Sequence, residues 1–146
     1  MFAGQDRSQT REVFFRAWRR YRAGQPLEGI EELVVRVARD HPEYHSLLDH
    51  PEAYQDHDYS PEQGQTNPFL HMGMHIAIEE QISLDQPQGI RGYYQKLRQR
   101  LPDEHTVQHH IMECLGEMLW QANRQGQPPQ ASVYLECLQR LTGETG

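Results

Sequence analysis

The amino-acid sequence predicts an all-α, single-domain helical bundle of about six helices, arranged around a central buried helix near residues 67–83. Three observations lead there. Apolar residues recur at three- and four-residue spacing through most of the chain. No segment alternates apolar and polar residues over more than a few positions, as a half-buried strand does. The periodic stretches are separated by helix stops and starts, among them Gly24, Pro42, Pro51, Gly126 and Gly143. At 146 residues the chain suits one domain, residues 1–146, with a substantial core.

Residues 8–23 read as a first helix, with Ser8 as cap, Phe14, Trp18 and Tyr21 on one face, and Gly24 as stop. Residues 27–40 form a second, carried by Ile30, Leu33, Val34 and Val37; it ends before Pro42, because the residue preceding proline disfavours helical geometry. A short helix opens on Pro42 and is broken by Pro51. Residues 55–66, acidic and containing Pro61 and Gly64, read as a long loop, and loops of that length usually carry function or mobility.

The central helix follows. Asn67 caps its first free N–H groups and Pro68 fits its first turn. On a helical wheel Leu70, Met74, Ala77, Ile78 and Ile82 make one apolar arc, and Phe69, Met72 and Ile76 make another. His71, His75 and Glu79 run in a row between them. A row flanked by apolar arcs is buried or lines a cleft, and buried imidazoles and carboxylates require partners, because desolvating them alone costs several kcal/mol. After a loop at 84–89, residues 90–101 form a helix with Tyr93, Tyr94 and Leu97. Asp103 caps the longest helix, 103–124, closed by Gly126, and residues 131–141 make the last, stopped by Gly143.

The net charge is −7 and the mean hydropathy −0.87, so bulk electrostatics disfavour nucleic acid. The charge is uneven. Arg7, Arg11, Arg16, Arg19, Arg20 and Arg22 face only Asp6 and Glu12 in residues 1–24, whereas residues 28–62 carry ten acids against Arg36 and Arg39. Solvated faces making intramolecular ion pairs are the default account. The two cysteines, Cys114 and Cys137, lie far apart in helical patterns with no CxxC, which points to reduced thiols; Cys114, on an apolar arc, reads as a buried, inert one. With no signal-peptide apolar region and no run of about 18 apolar residues, the expected localisation is cytoplasmic and no membrane is expected as partner.

Nine histidines are present, and six fall in pairs four apart: His41/His45, His71/His75 and His105/His109. His75 is followed by Glu79, and His109 by Glu113 and Glu117. Side chains four apart on a helix converge, and facing helices of a bundle build metal sites from such rows. Imidazole mixed with carboxylate suits Fe, Mn or Zn better than Ca or Mg. The expected donors are His71, His75, His109 and Glu113, with Glu79, Glu117, His41 and His45 as further groups. On the long helix, however, His109, Glu113 and Glu117 lie opposite the apolar arc of Ile111, Cys114, Leu115, Met118 and Ala122, as on a solvated face, while Trp120 beside them suggests cover. No GxSxG, phosphate-cradling glycine loop or HExxH is present.

The stretches His41-Pro42-Glu43-Tyr44-His45, Asn67 to His75, Asp85 to Arg91 and Met112 to Trp120 resemble a domain-of-unknown-function family of short bacterial proteins of about this length. The resemblance covers nearly the whole chain and implies a small cytoplasmic bacterial protein without assigned activity. A looser similarity, in chemistry but not in order or spacing, is to hemerythrin-like and DinB-like helical-bundle metalloproteins, which use HxxxH and HxxxE pairs. The expectation is a protein holding one or two transition-metal ions, Fe, Mn or Zn, with enzymatic activity open. The alternative is an interaction module that docks a partner through the Arg-rich first helix or the acidic 40–62 segment, its histidines structural. A protein partner or homo-oligomer stays open in either case.

Overall fold

The computed structural model describes residues 7–59 and 67–143. Within them the chain is all-α: eight α-helices and one 3₁₀ turn, with no strand among the described residues. The chain forms two compact units, Met1–Ile76 and Ala77–Gly146.

The first unit contains α1 (Arg7–Arg22), α2 (Ile30–Arg39), a 3₁₀ turn (Pro42–Tyr44), α3 (His45–Leu48), α4 (Pro51–Tyr54) and the start of α5 (Pro68–Leu84). Phe14, Phe15, Ala17 and Trp18 of α1 pack with Val34, Val35, Val37 and Ala38 of α2, and Phe69, Met72 and Ile76 of α5 complete this core. The Phe69 ring meets those of Phe14 and Phe15 edge-on, with centroids 5.8 and 5.5 Å away. Burying each of these large side chains contributes about 1.5–3 kcal/mol.

Two sequence expectations change here. Ser8 lies inside α1 rather than ahead of it. Pro51 does more than end a helix: it sits in the first turn of α4, where its missing N–H is not needed. That added turn, α4, together with the short helix α3 that follows Pro42, brings the count to eight α-helices where about six were expected.

The arginines of α1 are largely committed inside the unit. Arg11, 1% exposed, donates from one nitrogen to the carbonyls of Tyr54, Gln55 and His57 at 3.1, 3.1 and 2.7 Å. Arg20 and Arg16 flank the buried Glu31 at 3.1 and 3.7 Å, and Glu31 also accepts the Glu28 N–H at 3.1 Å. Arg22 holds both oxygens of Asp49, at 3.3 and 3.2 Å. The charge asymmetry is thus mostly intramolecular. Arg11 also ties down the first part of the expected 55–66 loop; residues 60–66 of that loop lie outside the described residues.

The start of α5 follows the sequence closely. The Asn67 side chain accepts the N–H groups of Phe69 and Leu70 at 2.9 and 3.2 Å. Phe69, Met72 and Ile76 are buried, but Leu70, from the other arc, is 60% exposed.

The second unit holds the rest of α5, then α6 (Ile90–Arg100), α7 (Glu104–Gln125) and α8 (Ala131–Leu141). Ile78, Ile90, Leu97, Val107, Ile111, Leu115, Tyr134 and Leu138 are buried in it. The Tyr134 hydroxyl donates to Gln81 at 2.7 Å, and burial pushes its pKa well up. Asp103 caps α7 by accepting the Thr106 N–H at 2.7 Å. Gly126 ends that helix at φ 63°, a left-handed conformation that glycine adopts at little cost.

Between α5 and α6 the chain fastens itself. Asp85 accepts the N–H groups of Gly89 and Arg91 at 3.2 and 3.0 Å, and the Arg91 guanidinium returns to the carbonyls of Ile82 and Ser83 at 3.1 and 2.8 Å.

The expectation of reduced thiols is overturned. Cys114 and Cys137 form a disulfide joining α7 to α8, with Cα atoms 5.5 Å apart. The turn that Gly126 opens folds α8 back along α7, so a separation of 23 residues becomes a contact. No helix among the described residues is long and apolar enough to cross a membrane.

Candidate metal centre

The first unit gathers three histidines. His71 and His75 stand one turn apart on α5, their ring centroids 4.9 Å apart. His41 joins them from the end of α2. Because Pro42 follows it, His41 leaves helical geometry, at φ −127° and ψ 71°, and takes the position preceding the 3₁₀ turn. Its ring lies 4.7 Å from that of His75 and 5.0 Å from that of His71. The ligand nitrogens of His41 and His75 lie within 4.8 Å of one another, and both side chains are 2% exposed.

His41 is also oriented. Its Nδ1 lies 2.8 Å from the Val37 carbonyl oxygen. A carbonyl only accepts, so Nδ1 carries the proton and, in the neutral ring, Nε2 carries the lone pair. A backbone carbonyl behind the imidazole is the arrangement that fixes the tautomer of histidines ligating metals. Tyr44 stacks parallel to His41, with centroids 5.5 Å apart and an interplanar angle of 9°. Burial, reinforced by Glu43 and Tyr59, raises the pKa of its phenol, which therefore stays protonated.

His45, four residues after His41, faces elsewhere. Its Nε2 lies 2.9 Å from the Ala38 carbonyl oxygen and its ring lies 4.6 Å from that of Trp18. His50 and His57 are exposed, as loop-like sequence suggests.

The second unit carries its own pair. His105 and His109 of α7 have ring centroids 4.2 Å apart, with ligand nitrogens within 4.8 Å of one another, and both are half-buried. On the same helix Gln108, 4% exposed, donates to the Glu79 carboxylate at 2.8 Å. Glu113 is exposed, and Glu117 pairs with Arg140 of α8 at 3.3 Å. Trp120 is 58% exposed beneath the Arg124 guanidinium, so it does not cover that side as its place on the wheel suggests.

Of the residues expected at a site, the fold therefore brings His41, His71 and His75 together in one unit. In the other it sets His109 beside His105, which the spacing had marked but the expected donor set did not include. Tyr44 was read only as a core or boundary residue. The available signal was its position three after His41, where one short turn returns it to the same side.

Histidines placed in this way can hold a metal ion. The family model for DUF1841, a domain of unknown function, matches residues 6–140. The chain belongs to this family. The match takes in all the histidines of both groups, so the DUF1841 domain itself carries the candidate donors. No curated protein and no solved structure matches the DUF1841 chain.

Proposed function

We propose that the protein binds a transition-metal ion through histidine, with His41, His71 and His75 as the core of the donor set in the first unit. The observation that carries this reading is His41. It is buried against His75, its Nδ1–H is committed to Val37 and its remaining nitrogen is the one suited to coordinate. An imidazole-rich set suits Zn, Fe or Mn rather than Ca or Mg. In the second unit we propose His109 with His105 as donors, and Glu79, Glu113 and Glu117 as carboxylates able to ligate or to orient a ligand. His45, engaged with Ala38 and Trp18, acts as support for the first group. A metal held by three imidazoles with an open position supplies an acidified water or a site for a small ligand.

The test is elemental analysis of protein purified without a polyhistidine tag and without added metal. Near-stoichiometric Fe, Mn or Zn is expected, and His41→Ala/His75→Ala should remove metal while helicity is retained. A separate His105→Ala/His109→Ala variant reads the contribution of the second pair. Folded protein that contains no metal and takes up none of these three when they are added would overturn the proposal.

A further inference from the structure

The first unit has a second feature, lined by none of the three proposed donors His41, His71 and His75. The end of α1, with α3 and the start of α4, borders a half-open pocket of about 370 Å³. Phe15, Trp18, Leu48 and Pro51 supply its apolar wall, and Arg19, Arg22 and Asp49 its charged rim. That volume falls within the range of small-molecule sites, and an apolar wall with few fixed polar groups is their usual composition.

The rim charges are not equivalent. Asp49 accepts the Trp18 indole N–H at 2.7 Å and is gripped on both oxygens by Arg22, whose guanidinium also lies 4.9 Å from the Trp18 ring. These three side chains form a closed set. Arg19, exposed on the next turn, has no ion pair or side-chain hydrogen bond among the described residues. Two cations against one carboxylate leave one net positive charge, and it resides on Arg19. A guanidinium offers a planar fork that matches a carboxylate.

We propose that this cavity binds a small aromatic carboxylate, with the ring against the wall formed by Phe15, Leu48 and Pro51 and the carboxylate on Arg19. A monoanion fits because a second negative charge would face Asp49. An apolar body fits because the wall offers no hydrogen-bonding side chain apart from the indole N–H, which Asp49 occupies. Trp18 reports occupancy directly, since its indole N–H is fixed at the cavity edge.

The chain has two tryptophans, so Trp120→Phe leaves Trp18 as the single indole signal. Phenylacetate titrated into this variant, followed by the indole ¹H–¹⁵N resonance, should give a saturable shift with a dissociation constant of about 1 mM, the strength expected of a ten-atom ligand. Arg19→Gln should weaken it about three- to five-fold, the scale of an exposed ion pair. Phenylacetamide should bind correspondingly more weakly, and Arg98→Gln in the second unit should change nothing. A shift that does not saturate, or equal binding of acid and amide, would overturn the proposal. So would equal weakening by Arg19→Gln and Arg98→Gln, which would reduce the effect to bulk charge.

Discussion

Arg11 donates to the carbonyl oxygen of His57 at 2.7 Å from a position 46 residues earlier in the chain. With Tyr54 and Gln55 also accepting from the same nitrogen, one buried cation organises the backbone from 54 to 57. Its guanidinium lies 4.7 Å from the Phe69 ring as well, which links this segment to the core at the start of α5. Arg11→Met should therefore cost about 2–4 kcal/mol in urea unfolding, because three carbonyls lose a charged donor in a buried place. Limited proteolysis should also cut faster near Tyr54 and Tyr59. A loss below about 0.5 kcal/mol would show that water replaces the guanidinium.

Glu31 is 5% exposed and carries the ion pairs with Arg16 and Arg20. Glu31→Gln keeps an acceptor for the Glu28 N–H but removes the charge facing two guanidinium groups. The expected loss is about 1–2 kcal/mol, read as a lower urea midpoint with unchanged slope. Because both arginines reach solvent, added salt should narrow the gap between variant and parent.

Asp49 gives the chain a defined response to acid. Burial pushes its carboxyl up, but the Trp18 N–H and the Arg22 guanidinium outweigh that and hold it below the usual carboxylate range. The folded value is thus below the unfolded one, about 3.9. The stabilisation is present above that pH and is lost as pH falls through the folded value. In a Trp120→Phe background, Trp18 fluorescence should change below about pH 4. Asp49→Asn should abolish that transition.

The disulfide gives a prediction that does not depend on any ligand. Closing a loop between residues 23 apart stabilises by on the order of 3 kcal/mol through restriction of the unfolded chain. Unfolding with and without a dithiol reductant should differ by that scale, and Cys114→Ser/Cys137→Ser should match the reduced protein. Intact mass under non-reducing conditions, two hydrogens below the reduced value, checks the bond itself.

Much of this molecule was legible in its sequence, and the exceptions share a cause. The caps at Asn67 and Asp103, the stop at Gly126 and the break at Pro42 are local signals, and each appears where local chemistry puts it. The His71/His75 row is local too. Missed were features that depend on what another segment brings. A helical wheel places Arg11 among five other arginines, and nothing within one turn reveals the three carbonyls that bury it. Cys114 and Cys137 look isolated until α8 folds back on α7. His41 and His45 share the HxxxH spacing of a continuous helix, but the 3₁₀ turn between them sends one ring to His75 and the other to Trp18. Spacing alone predicts convergence only where the helix is unbroken.

The Asp85–Arg91 fastening has a practical consequence for protein design. Its four side-chain bonds begin and end within residues 82–91, with the aspartate restraining the turn and the arginine sealing the last carbonyls of the incoming helix α5. A connector that satisfies its own polar groups asks little of its surroundings. Transplanted between two helices of an unrelated scaffold, this ten-residue cassette should set the same exit direction, and it makes a portable corner piece for building helical proteins.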